Sequence, residues 1–135
     1  MNIYHFDADV GRAIDNFGSK NFILSRIAQL TAPARVSCFY LGSNGKVGSH
    51  QATTPQLFLV VQGEGWVRDE TSQRISITMG CAVFWDKDEW HESGADNGLT
   101  AVVIESEVMN PAEFMPAGLA VQNQSGLSAK GLLDE

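Results

Sequence analysis

The sequence predicts an all-β fold: a single antiparallel β-barrel with an N-terminal arm and a short C-terminal helix. Three observations carry this expectation. Between residues 33 and 107 apolar residues come in short runs, many with the period of two that a half-buried strand needs. Clusters of Gly, Asn, Asp and Ser interrupt those runs at regular intervals. Strands so closely spaced leave no room for parallel βαβ units.

Taken in order, Met1 to Asn16 read as an arm, with a first strand near Ile3–Phe6. Asn21–Leu30 fits either a strand or a helix face, and Phe22, Ile23 and Ile27 favour the strand. Val36, Cys38 and Tyr40 alternate with Ser37, Phe39 and Leu41, which gives a strand. Gly42-Ser43-Asn44-Gly45 reads as a turn, because Asn and Gly tolerate positive φ. Gln56–Val61 is apolar on both faces. Gly63-Glu64-Gly65 signals a tight hairpin into Trp66–Arg68. Asp69–Gln73 turns the chain, Arg74–Thr78 alternates strictly, and Met79-Gly80 turns it again into Cys81–Trp85. Trp90–Ser93, a Gly94–Gly98 turn and Leu99–Glu105 form the expected last hairpin. Asn110, Pro111 and Glu113 stand as cap, first helical residue and N-terminal acid, predicting a helix over Pro111–Met115. Val121–Glu135 reads as a loose tail or an arm on a partner.

This makes one domain, with its core over 33–107, an arm over 1–32 and a tail over 108–135. A chain of 135 residues with 44% hydrophobic residues can pack one interior. A strand apolar on both faces must be covered on both. Leu57, Leu59 and Val61 therefore need the N-terminal arm or a second subunit, and homodimerisation through this sheet is the expectation.

Nine basic residues against sixteen acidic ones leave a net charge of −7. Such a chain repels nucleic acid and anionic membranes, so a small-molecule partner is expected. Cys38 and Cys81 show no CxxC spacing and read as small core residues, consistent with a reducing cytoplasm. The opening residues lack the basic-then-apolar pattern of a signal peptide, and no apolar run reaches membrane-spanning length.

Of three histidines, His5 has no partner motif and reads as a surface residue in the arm. His50 and His91 stand inside frames. The first runs from Gly45 through His50, Ala52 and Gln56 to Gly63. The second runs from Gly80 through Asp86 and Asp88 to His91. Together these frames resemble the cupin superfamily, whose motifs have the forms G(x)5HxH(x)3-4E(x)6G and G(x)5PxG(x)2H(x)3N. Gly45 to His50 is one residue short of that interval; the other spacings fit. The blocks QLFLVVQGEGWV and AVFWDKDEWHESG look like those of small single-domain bacterial cupins.

The resemblance implies a jelly-roll barrel with three His and one Glu on one divalent metal. Position by position, this chain offers His50, Ala52, Gln56 and His91. Ala52 cannot ligate, and Gln56 can ligate but brings no charge. Asp86 and Asp88 replace the Pro and Gly of the second motif. Two imidazoles and an amide disfavour a divalent ion, and Mg²⁺ and Ca²⁺ look excluded. No cofactor is therefore required, although Zn, Ni, Cu or Fe could sit at low occupancy on His50, Gln56 and His91. Without metal, the slot vacated at Ala52 is expected to hold water or a ligand. Glu89 could orient His91 or replace the missing carboxylate, or simply lie in an exposed turn. Trp66, Trp85, Trp90, Phe58 and Phe84 are candidate pocket walls. Phe58 is the best of these, because it shares a face with Gln56 and Val60.

The expected function is small-molecule binding in a polar pocket of His50, Gln56, Phe58 and His91. The alternative is a metal-dependent dioxygenase, isomerase or lyase using His50, Gln56 and His91 as ligands. A third reading is an interaction module with a vestigial barrel. No catalytic residue can be assigned.

Overall fold

The computed structural model describes residues 1–71 and 73–117. The tail from Val121 lies outside the described residues. Eight strands run β1 (Asn2–His5), β2 (Arg12–Ala13), β3 (Ile23–Leu24), β4 (Ala34–Gln51), β5 (Gln56–Arg68), β6 (Ile75–Thr78), β7 (Cys81–Trp85) and β8 (Trp90–Ser106). The main sheet is antiparallel, in the order β1-β7-β5-β8-β4, with β6 also paired to β5. β2 and β3 form a separate two-stranded ribbon.

Three of the expected turns are bends inside long strands. Gly42–Gly45, Gly63–Gly65 and Gly94–Gly98 lie within β4, β5 and β8, which span 18, 13 and 17 residues. Left-handed conformations do occur there, at Asn44 (φ 57°), Gly63 (φ 82°) and Gly98 (φ 103°). At Gly63 and Gly98 they accompany bulges rather than chain reversals, and at Asn44 the β4–β8 register continues without a break. The β5–β8 register breaks between Val60 and Gln62 and again between Gly63 and Trp66. An extra residue in one strand bends it and increases its twist. A Cβ at Gly63 would collide with the Gly98 carbonyl, and one at Gly65 with the Gly94 carbonyl. Glycine is thus required where adjacent strands bend against each other. The chain does reverse between the antiparallel strands β5 and β6, and again at Met79-Gly80, with Gly80 at φ 96°.

Among the described residues the sheet does not close. β1 and β4 end the strand order, β6 is a further edge strand beside β5, and β1 and β4 do not pair with each other. The antiparallel sheet bears out the all-β barrel expectation, but the barrel stays open, because β4 finds a partner only in β8 and β1 covers only four residues of β7.

Alternation along β5 divides the apolar residues between two layers. Phe58 and Val60 join Ile3, Val67, Val83, Trp85, Ala101 and Val103 on the inner face. Leu57 and Leu59 lie on the outer face with Tyr4, Ala82 and Met115, flanked by Phe6, Ile27 and Met109. The chain's own arm and the segment after β8 cover this outer layer. Val61 stays 39% exposed.

Other expectations change too. The C-terminal helix is a three-residue 3-10 turn, Pro111–Glu113; the Asn110 side chain makes no capping bond there. Within 21–30 only Ile23–Leu24 is a strand. Cys38 is exposed on β4 rather than in the core, whereas Cys81 is partly buried. His5 is half-buried, since β1 places it opposite Cys81. Its Nε2 is buried without a hydrogen-bond partner, and burial holds its pKa below the ordinary value, against the Asp7 charge. No described helix is long and apolar enough to cross a membrane.

Candidate functional site

His50 and His91 meet because the β4–β8 ladder runs to its end. A register break between Val47 and His50 brings His50 directly opposite His91. Their rings lie 4.3 Å apart between centroids, tilted by 56°. His50 is exposed, and His91 is buried. Trp85 stacks on His91 at 4.4 Å and 27°. Behind Trp85 come Phe58 at 5.9 Å and then Phe39, 6.2 Å from Phe58, both edge-on. An unbroken row of five aromatic rings thus runs from the interior to the exposed imidazole.

Backbone carbonyls fix both imidazoles. His50 Nδ1 lies 2.7 Å from the Gly48 carbonyl oxygen, and His91 Nδ1 lies 3.3 Å from that of Glu89. A carbonyl can only accept, so each Nδ1 carries the proton. In the neutral ring, Nε2 then keeps its lone pair. Burial pushes the pKa of His91 below the ordinary value; the Glu89 carbonyl opposes this and neighbouring His50 adds to it.

The loop before His91 is tied at several points. Ala52 N–H donates to the Glu89 carbonyl at 2.9 Å, and Asp88 N–H to the Ala52 carbonyl at 2.8 Å. Gln51 Nε2 donates to the Asp88 carbonyl at 3.1 Å. Asp88 has φ 71°, the left-handed geometry that glycine adopts without strain and Asp tolerates. Glu89 does not reach His91 with its carboxylate. One oxygen accepts from Asp86 N–H at 2.6 Å, and the other pairs with the Met1 amino group at 2.5 Å.

Several expected residues fall elsewhere. Ala52 leaves no open slot: it is 3% exposed and belongs to the inner core. Gln56 is buried on the inner face, but its Nε2 points to Glu105 Oε2 at 3.5 Å. Glu105 in turn pairs with Arg35 at 3.9 Å. Phe58 is enclosed between Phe39 and Trp85, one ring removed from His91. Trp66 and Phe84 lie in the strand positions that alternate with the inner-face residues, and Trp90 is 43% exposed. Sequence reasoning missed Glu105. Its signal was the parity it shares with Ala101 and Val103, which are inner-face residues.

A resident metal does not fit this donor set. Among the described residues no group of three or more His, Cys, Asp or Glu side chains is placed to hold an ion. Two imidazoles are fewer protein ligands than a catalytic zinc site uses, and the Gln56 amide is turned to a carboxylate.

The chain matches no protein-family model and no curated protein. Solved structures do resemble it. A cupin superfamily protein from Desulfitobacterium hafniense superposes with a TM-score of 0.51 at 19% identity, covering 65% of this chain and 80% of that one. A cupin-like protein from Thermotoga maritima gives 0.54 at 18%, covering 58% and 60%. The fold is that of the cupins. A third neighbour, a predicted oxalate decarboxylase from Thermotoga maritima, gives 0.50 at 22%, covering 56% and 68%. These likenesses establish the cupin fold of the chain and not its chemistry.

Proposed function

We propose that this cupin-fold chain binds a small organic molecule at the His50–His91 pair and needs no metal to do so. One observation carries the reading: both Nδ1 atoms are spent on backbone carbonyls, which leaves two neighbouring Nε2 acceptors. Trp85 supports it, since its indole N–H is buried without a hydrogen-bond partner beside the same rings. Buried polar groups are normally paired, so an unpaired donor beside two acceptors suits a ligand carrying both donor and acceptor groups. Trp85 forms the inner wall in this reading, with Phe58 packed behind it, and the protein works in the cytoplasm.

The second reading is a metal-dependent enzyme with His50, Gln56 and His91 as ligands. The fixed tautomers favour it, because metal-ligating imidazoles also donate their other N–H to a carbonyl or carboxylate. The Gln56–Glu105 contact opposes it.

Metal analysis of protein purified without a histidine tag, repeated on His50→Ala, separates the two. The first reading expects substoichiometric metal in both proteins, and a co-purified or added organic ligand whose retention fails in His50→Ala and His91→Ala. Stoichiometric metal that disappears in His50→Ala would overturn it.

A further inference from the structure

The chain has five arginines, and three of them are engaged elsewhere in the sheet. Arg35 pairs with Glu105, Arg68 pairs with Glu92, and Arg74 lies over the Trp66 ring. Arg12 and Arg26 have no carboxylate partner among the described residues. Acidic residues outnumber basic ones sixteen to nine, so partners were not scarce.

Both of these arginines line one cavity of about 570 Å³, between the β2–β3 ribbon and the turn after β8. That volume suits a small organic molecule. The ribbon register sets Arg12 opposite Leu24, and Arg26 follows Leu24 by two residues. The Pro111–Glu113 turn supplies Glu113 to the lining, and Phe114 comes next in the chain. The Arg26 guanidinium carbon lies 5.8 Å from the centroid of the Phe114 ring. A cation over a ring face is held by the ring's quadrupole. The N–H edge of the guanidinium then stays available for a bidentate acceptor. Ile14, Leu24 and Phe114 give the cavity an apolar side, and Leu24 is left 38% exposed there.

We propose that this cavity is a second binding site, separate from the His50–His91 pair, for a monocarboxylate with a short apolar body. Arg12 and Arg26 take the carboxylate, and Ile14, Leu24 and Phe114 cover the body. Glu113 sets the charge that is accepted. Two guanidiniums and one carboxylate leave the lining at a formal charge of +1. A single negative charge balances it. A second one would face the Glu113 carboxylate, so phosphate and dicarboxylates are disfavoured.

Hexanoate titrated into the full chain tests this, followed by NMR at the arginine Nε–H groups. Saturable shifts at Arg12 and Arg26 are expected, with a dissociation constant in the millimolar range or tighter. Hexanamide has the same shape without the charge, and it binds at least about tenfold more weakly, as does inorganic phosphate. Arg12→Gln and Arg26→Gln each weaken hexanoate at least about tenfold, the loss of one charge-assisted hydrogen bond. Glu113→Gln tightens hexanoate severalfold and admits phosphate, a gain that misfolding cannot produce. The proposal is overturned if hexanoate gives no saturable shift at tens of millimolar, or if hexanamide or phosphate binds the unmodified chain as tightly. It is also overturned if neither arginine change weakens hexanoate, or if Glu113→Gln weakens it.

Discussion

Gly94→Ala puts the bent-strand architecture to a quantitative test. Gly94 lies inside β8 and does not have positive φ, so alanine can adopt its backbone without strain. On backbone grounds alone the change should stabilise by about 0.4–1 kcal/mol, through the lost freedom of the unfolded chain. The packing says otherwise. A Cβ at Gly94 would lie 2.5 Å from Trp66 Cε2 and 2.9 Å from Nε1, with the neighbouring ring carbon nearer still. The ring has little room to retreat, because the Arg74 guanidinium lies 3.8 Å from its centroid. Overpacking of this kind costs about 1–3 kcal/mol. Gly94→Ala is therefore expected to destabilise, by about 1–2 kcal/mol after the entropic gain is subtracted. Urea unfolding followed by tryptophan fluorescence measures it as a lower midpoint with unchanged slope. In a Trp66→Leu background the penalty should vanish, and the double-mutant cycle should return the coupling. A neutral or stabilising Gly94→Ala would refute the reasoning and restore the exposed turn that the sequence suggests.

Phe58→Ala should cost about 3–5 kcal/mol, since the ring is 1% exposed and packs on both Phe39 and Trp85; denaturant midpoints check this. Both His91 and His5 have folded pKa values below the ordinary histidine value. At high pH neither state is protonated and these groups do not influence stability. As pH falls through the unfolded value near 6.5, the unfolded chain gains protons first and stability drops, levelling off below the folded values. His91→Gln and His5→Gln should each remove part of this slope in unfolding measured between pH 5 and 8. Glu92 is buried between Arg68 and Lys46. Burial works against its charge, but the two cations outweigh it and hold its pKa low. Glu92→Gln should therefore destabilise at neutral pH by about 1–2 kcal/mol, because both cations are partly exposed and screened, and the loss should shrink as pH falls below 4. Thermal melts at pH 7 and pH 3.5 compare the two conditions.

Strand existence was legible in the sequence, but strand continuity was not. Gly63, Gly94 and Gly98 carry the composition of hairpin turns, and whether such glycines reverse a strand or bend it is decided by what lies across the sheet. Gly65 meets a backbone carbonyl of β8 and Gly94 meets the Trp66 ring; neither contact is written locally. The meeting of His50 and His91 was legible from the spacing of their frames. The environment of Gln56 was not, because Glu105 lies on a distant segment that pairs with it only in the folded sheet. Ala52 was misread for a related reason: a missing ligand looks like space until the neighbouring core residues fill it. His5 looked like a surface residue in a polar arm until β1 docked on β7.

The strand order has a consequence for how the chain is made. β4 and β5 are neighbours in sequence, yet they do not pair with each other; β8 lies between them and binds both. On the ribosome the two early strands emerge first and wait for a central strand that is synthesised after both. Until residues 90–106 are out, neither His50 nor the long ladders have a partner, and two apolar strands remain open to the wrong one. Pairings this distant in sequence also form slowly. The binding site is thus a late product of folding, and shortening the chain before Ser106 should remove it altogether rather than weaken it by degrees.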